Sequence, residues 1–219
     1  MDGRHNQSGW RIIISGTGGQ GVLTAARLLC DCLAERGHNV VSSQLHGMAQ
    51  RGGSVHSTVM IDSGISPVIG TGRADCVLGF KPVETARALP LMSSRTVVYM
   101  NAAPIVPYVI GQQVALGDSE AKYPNVDELV AGIRAVTAHV FPFDATRLAR
   151  QCGSVRAVNM IMLGCLLGAG AVPCAADDFW NSAAGRIPKG LVETNARAFM
   201  DGAEVGRRLR FAGEDRIWR

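Results

Sequence analysis

Two short stretches carry the residue types whose spacing could do chemistry. Gly16, Thr17, Gly18, Gly19, Gln20 and Gly21 follow the first apolar run and match the spacing G-x-G-x-x-G between a strand and a helix. Glycines so spaced let the backbone turn tightly and come close to a ligand, and a helix opening at Val22 aims free N–H groups and a positive dipole end at an anion. A phosphate or diphosphate suits such a cradle. The second stretch, His46 to Gly53, holds Gln50, Arg51, Gly52 and Gly53. It sets a guanidinium and a side-chain amide among exposed backbone N–H groups, which suits a carboxylate, a phosphate or a partner's carbonyl groups. An equally weighted alternative pairs Arg51 with a carboxylate of its own domain. Both stretches follow expected strands, and loops at the carboxyl ends of neighbouring strands line the ligand crevice of an open α/β sheet. The two are therefore expected to meet.

Other candidates are weaker. The end of the second strand offers Ser42, Ser43 and Gln44 where a nucleotide-binding fold would hold an adenosine ribose with an acid, which weighs against NAD. His46 and His56 have no Cys, Asp or Glu at ligand spacing around them and make a poor metal site. A satisfied structural hydrogen bond is the favoured reading for them over acid–base work. No G-x-S-x-G occurs, so a hydrolase triad is unsupported, and neither a catalytic residue nor a metal ligand is assigned. Asn159 sits in an apolar helix beside Met160, Met162 and Leu163. A buried amide left unpaired costs about 1–3 kcal/mol, so Asn159 is expected to hold a neighbouring loop rather than face a ligand.

The elements that must position these loops alternate. Ile12, Ile13 and Ile14 mark a strand covered on both faces over 11–15, and Val22, Ala25, Ala26, Leu29 and Leu33 fall at helical spacing up to a stop at Gly37. A second strand over 39–43 completes a βαβ unit. An alternating strand follows over 54–61, with a short one over 65–69 and a buried one over 75–80. Pro82 opens a helix running to about Met92, and a strand follows over 96–100. Residues 101–125 are the least legible, with a short strand suggested over 113–116. A helix over 126–136, a strand over 139–143, and helices over 144–151, 154–168, 175–185 and 188–211 complete the chain, with Asp144 and Ser154 as caps. The expected fold is a three-layer α/β/α sandwich with a mostly parallel or mixed Rossmann-like sheet and a helical C-terminal part.

The 219 residues suit one domain over 10–211, after a lead-in over 1–9 and before a basic tail over 212–219. Hydrophobic residues make up 47% and charged ones only 18%, so part of the surface is expected to be covered by a partner. The net charge of +4 owes much to Arg207, Arg208, Arg210, Arg216 and Arg219. Placed at a helix end, these cations oppose its dipole, and no nucleic-acid partner is expected. None of the six cysteines forms a C-x-x-C pair, so neither an iron–sulfur nor a zinc site is read, and all are taken as reduced thiols. The polar start lacks a signal-peptide core, and the longest apolar stretch, 160–173, is broken by three glycines. A soluble, cytoplasmic protein is expected.

Taken together, five stretches carry a resemblance. They are Ile13 to Val22, His46 to Val55, Ala74-Asp75, Asn159 to Gly164, and Glu193 to Phe199. In this order they resemble the gamma domain of the 2-oxoacid:ferredoxin oxidoreductases, and among these are most similar to the small subunits of indolepyruvate ferredoxin oxidoreductases. The resemblance implies a three-layer α/β/α unit that works only with a larger subunit carrying thiamine diphosphate and iron–sulfur clusters. The holoenzyme would decarboxylate an aryl pyruvate, here indolepyruvate, pass the acyl group to coenzyme A and send electrons to ferredoxin. It implies no cofactor bound by this chain alone, allows coenzyme A at the interface, and turns both glycine loops toward the larger subunit. An isolated chain would be inactive and free to form a homodimer. The alternative is a self-sufficient oxidoreductase using NAD(P) or a flavin, against which the missing ribose-binding acid counts. A free-standing coenzyme A or nucleotide sensor is a third reading.

Overall fold

A computed structural model describes residues 9–46, 52–103 and 124–212. Its centre is β1 (Trp10–Thr17), in which Ile12, Ile13 and Ile14 are all 0% exposed, as a strand covered on both faces requires. Around it lie β2 (Val40–His46), β3 (Ser54–Ile61), β4 (Cys76–Gly79), β5 (Val97–Asn101) and β6 (Val140–Phe143), in the sheet order β2-β3-β1-β4-β5-β6. β1, β4, β5 and β6 run parallel, while β3 is antiparallel to both β1 and β2. The sheet is thus mixed. β2 is not the neighbour of β1, as a plain βαβ unit would have it. β3 folds back along β2 and takes the place beside β1, with Gln44 opposite Ser57 and Ile14 opposite the same Ser57. An antiparallel partner close in sequence wins over the longer crossover because its loop is cheaper to close.

Helices cover both faces. α1 (Val22–Glu35), α4 (Ala145–Gln151), α5 (Val158–Gly168), α6 (Ala176–Ala184) and α7 (Val192–Ala212) pack on one side, over Ile12, Ile14, Val59, Leu78 and Tyr99. α2 (Pro82–Arg87) and α3 (Val126–Arg134) pack on the other, over Ile13, Met60, Val77, Val98 and Met100. The architecture is the expected three-layer α/β/α sandwich with a helical C-terminal part. α5 is buried almost throughout and crosses α7 at backbone contact. A Cβ added to Gly164 would stand 2.2 Å from the Phe199 carbonyl oxygen, and one on Gly202 2.1 Å from that of Ile161. Phe199 also stacks on Phe179, with ring centroids 5.2 Å apart.

Several expected bounds shift for identifiable reasons. The helix from Pro82 ends at Arg87 and gives way to a 3-10 turn over Leu89–Leu91, where Pro90 lacks the N–H needed to continue it. Residues 65–69 form no strand; Pro67 instead offers its carbonyl oxygen to the Thr58 hydroxyl at 2.7 Å. Asp144 caps α4 by accepting from the Arg147 N–H at 2.7 Å. Ser154 caps a 3-10 turn over Val155–Ala157 that leads into α5. The strand suggested over 113–116, the lead-in over 1–8 and the tail over 213–219 lie outside the described residues. Among the described residues no helix is long and apolar enough to cross a membrane.

Candidate functional site at the carboxyl edge of the sheet

The two glycine loops meet. β1 and β3 pair along their whole length up to Thr17 opposite Ser54, so the end of one strand lies beside the start of the other. Beyond that pair the ladder continues into the loops. The Gly18 N–H donates to the Gly53 carbonyl oxygen at 2.9 Å, and the Gly52 N–H donates to that of Gly18 at 3.4 Å. The junction follows from the antiparallel placement of β3, not from parallel neighbours as the sequence suggested. It gathers Gly16, Thr17, Gly18, Gly19, Gln20, Gly21, Gly52 and Gly53 at one edge. Gln44 stands exposed on β2, across from Ser57. Gln50, Arg51 and the side chain of His46 lie outside what the structure describes.

Each residue of the first loop has a distinct task. Gly16 admits no side chain, since a Cβ there would come within 2.8 Å of Val22 and 2.9 Å of Phe80. Gly19 and Gly21 adopt φ of +96° and +79°, the left-handed region that disfavours other residues. The Gln20 amide ties the loop to itself and to the residue after β4. Its Oε1 accepts from the Thr17 N–H at 2.8 Å and the Thr17 hydroxyl at 3.0 Å, and its Nε2 donates to the Phe80 carbonyl oxygen at 3.1 Å. Gln20 thus braces the loop. Asn159 packs against the loop from α5, and a Cβ on Gly21 would stand 2.9 Å from its Nδ2. α1 starts directly at Gly21 with no side chain capping its first turn and no acid in that turn, which leaves its early N–H groups open toward an anion.

The Phe80 peptide is the hub of this edge, a role sequence reasoning missed. Its N–H donates to the Ser15 carbonyl oxygen at 2.7 Å, and its own carbonyl oxygen accepts from Gln20 and, at 3.2 Å, from Asn101 Nδ2. Asn101 is wholly buried and fully paired. It also donates to the Thr146 hydroxyl at 2.9 Å and accepts from the N–H groups of Ala103 and Ala145. The loops are therefore tied through one peptide to β4, β5 and α4.

A second missed feature lies just beneath, on the α2 side. Ser15 and His56 stand opposite each other in the β1–β3 register, and Ser15 Oγ and His56 Nε2 are both buried without a hydrogen-bond partner. The expected satisfied histidine is thus corrected. Burial pushes the His56 imidazole below its usual range, with Glu84 pulling the other way, so the ring is neutral near pH 7. Glu84 is itself buried. It accepts from the Ser54 hydroxyl at 2.6 Å and from Arg87 at 3.1 Å. Lys81 is 8% exposed nearby in the chain, and burial lowers its pKa. Alternation along β3 could have put His56 on this face, but nothing local to it could have named Glu84, which arrives from α2.

The Ala74-Asp75 stretch does other work. Asp75 accepts from Arg11 Nε at 2.8 Å and from Nη2 at 2.9 Å, clamping the start of β1 to β4 at the end of the sheet away from the loops. Two of the late arginines, Arg207 and Arg208, pair with Glu204 on α7. Among the described residues, no three of His, Cys, Asp or Glu gather as a metal-binding group.

Comparison with known proteins assigns the chain to a family. The model for pyruvate ferredoxin/flavodoxin oxidoreductase matches residues 11–205. The chain is 34% identical to the indolepyruvate oxidoreductase subunit IorB of Methanothermobacter thermautotrophicus over 88% of its length and 95% of the relative's. It is 32% identical to the same subunit of Thermococcus kodakarensis, covering 97% of it. Among solved structures, the gamma subunit of a keto/oxoacid ferredoxin oxidoreductase from Geobacter sulfurreducens superposes with a TM-score of 0.64 at 22% identity, over 91% of this chain and 99% of that one. The likeness also extends to a 2-oxoglutarate:ferredoxin oxidoreductase from Magnetococcus marinus, with a TM-score of 0.67, where 95% of this chain covers 32% of the larger one. The chain therefore belongs to the pyruvate ferredoxin/flavodoxin oxidoreductase family, as a small oxidoreductase subunit of the IorB kind.

Proposed function

We propose that this chain is the small subunit of an aryl-pyruvate:ferredoxin oxidoreductase, with indolepyruvate as the substrate, and that its joined glycine loops face a larger subunit. The reaction is oxidative decarboxylation to an acyl-CoA with electrons passed to ferredoxin. Thiamine diphosphate and iron–sulfur clusters, carried by the larger subunit, supply the decarboxylation chemistry and the electron path. This chain supplies shape and donors. The uncapped first turn of α1 and the open backbone at Gly19 suit an anionic group such as a phosphate of coenzyme A, and the Gln20 brace keeps the loop from collapsing onto β4. The whole of residues 10–211 acts as one unit.

One observation carries the reading most directly. The reciprocal Gly18–Gly53 and Gly52–Gly18 hydrogen bonds make a single edge of two loops that lie more than thirty residues apart in sequence. Relatives with IorB names supply the substrate class. The test is reconstitution. The isolated chain should not turn over indolepyruvate, and mixing it with the large thiamine-dependent subunit should restore coenzyme A-dependent ferredoxin reduction. Turnover by the chain alone would reject the proposal. Arg51→Ala should weaken assembly or turnover by about tenfold at unchanged thermal stability; unaltered affinity and rate would return Arg51 to the ordinary surface.

A further inference from the structure

At the end of α1 away from the glycine loops, two thiols distant in sequence lie side by side. Cys32 Sγ on α1 and Cys174 Sγ, just ahead of α6, are 3.4 Å apart, across 142 residues of chain. They lie about 1.4 Å beyond disulfide bonding distance, a gap that side-chain rotation can close. The pair has a built surrounding. Arg36, one turn beyond Cys32, places Nη1 3.2 Å from Cys32 Sγ and is itself held by Asp178 at 3.3 Å. Arg186 from beyond α6 pairs with Asp31 at 3.4 Å and with Glu35, fastening the same two helices across the thiols. The remaining cysteines lack such an arrangement. Burial pushes the Cys76 and Cys165 thiols well up, and Cys152 donates toward Asp201, a neighbour that opposes thiolate formation.

We propose that Cys32 and Cys174 form a reversible oxidation site, with hydroperoxides as oxidant, Cys32 as the attacking sulfur and Cys174 as the resolving one. In the first step the Cys32 thiolate sulfur attacks a peroxide oxygen. An S–O bond forms, the O–O bond breaks, and the leaving oxygen takes up a proton as water or an alcohol. Sulfur is oxidised by two electrons and the peroxide is reduced by two. In the second step the Cys174 sulfur attacks Cys32; the S–S bond forms, the S–O bond breaks, and hydroxide leaves with the Cys174 proton as water. The product is a disulfide between α1 and the segment entering α6, and a thiol reductant reverses it.

The electrostatics assign the two roles. The hydrogen bond with Cys174 and, to a lesser degree, the Arg36 charge draw the Cys32 thiol down to about 7 against the opposing effect of burial. The same pairing pushes Cys174 upward, so at neutral pH the charge rests on Cys32. Cys32 is itself 0% exposed, but its neighbours reach the surface: Cys174 keeps 9% exposure and the Arg36 side chain 27%, so a small peroxide meets Cys32 through a local opening beside them.

The test uses the purified full chain at pH 7, treated with hydrogen peroxide from equimolar to tenfold excess, alkylated and mapped by mass spectrometry. The expected result is a loss of about two mass units, a cross-linked peptide whose fragments place the bond at Cys32 and Cys174, and reversal by dithiothreitol. Cys174→Ser should leave Cys32 as a sulfenic acid trapped by dimedone, and Cys32→Ser should slow oxidation at Cys174 at least tenfold. Arg36→Met, checked for folding by circular dichroism, should slow the reaction of Cys32 by about tenfold at pH 7. Oxidation that spreads first over Cys30 and Cys152 without the 32–174 link would overturn the proposal. So would equal reactivity of Cys174 in Cys32→Ser. The wild-type map alone decides the question if a variant fails to fold.

Discussion

Glycine does opposite work in two regions of this molecule. Where α5 crosses α7, the absent side chains are replaced by backbone. Cβ atoms added at Gly164, Gly168 and Gly206 would each stand 2.2 Å from a carbonyl oxygen of the other helix, and one at Gly202 2.1 Å. At the carboxyl edge, Gly19 and Gly52 have nothing within 4 Å of that position, yet their φ angles of +96° and +75° demand glycine all the same. The first set closes a core and the second shapes an outward-facing backbone. One region should fail by unfolding, and the other should lose function while it stays folded.

The sharpest way to break this contrast is at the crossing. Gly202→Val should cost about 3 kcal/mol or more, because the backbone of Ile161 cannot yield as a side-chain tip would. Thermal or urea unfolding reads this directly, and a near-normal midpoint would mean the helices can part without penalty. Gln20→Ala is next. It strips the Thr17 N–H of its acceptor and the Phe80 carbonyl oxygen of one donor, an expected loss of about 2 kcal/mol with the rest of the core intact. Gly19→Ala should cost only about 1 kcal/mol, from backbone strain, while lowering holoenzyme turnover out of proportion. Turnover and stability falling together would erase the distinction between the regions.

The smallest expected effect is a pH dependence. The folded pKa of His56 is depressed, so its contribution to stability is complete above the unfolded value of about 6.5 and is lost as pH falls from there through the folded pKa. Unfolding midpoints of the wild type should therefore decline more steeply between pH 7 and pH 5 than those of His56→Gln. Parallel curves would show that the ring reaches a partner or solvent.

The sequence made some of this legible because local chemistry decided it. The Ile12–Ile14 run, the glycine spacing of 16–21 and the Asp144 cap are each read from residues close together, and β1, its loop and α4 follow. β3's position between β1 and β2 was not legible, since an alternating strand looks the same beside either neighbour. The helix opened by Pro82 ends short of the expected Met92, because Pro90 cannot continue it. The bracing role of Gln20 was hidden as well, because the Phe80 carbonyl oxygen arrives from sixty residues away. The Ser15–His56–Glu84 group depends likewise on a register and a helix that no local pattern encodes. What remained hidden was long-range pairing, which cannot be settled until the sheet order is known.

The proposal stands or falls on whether the joined loops are the edge at which this subunit meets a partner. Hydrogen exchange of the chain, alone and reconstituted with the proposed larger subunit, is the decisive measurement. Slowed exchange on assembly is expected in peptides covering 16–24 and 52–56, with little change over 158–168 and 198–210. Protection that appears on α5 and α7 and leaves both loops exchanging as in the free chain would contradict it.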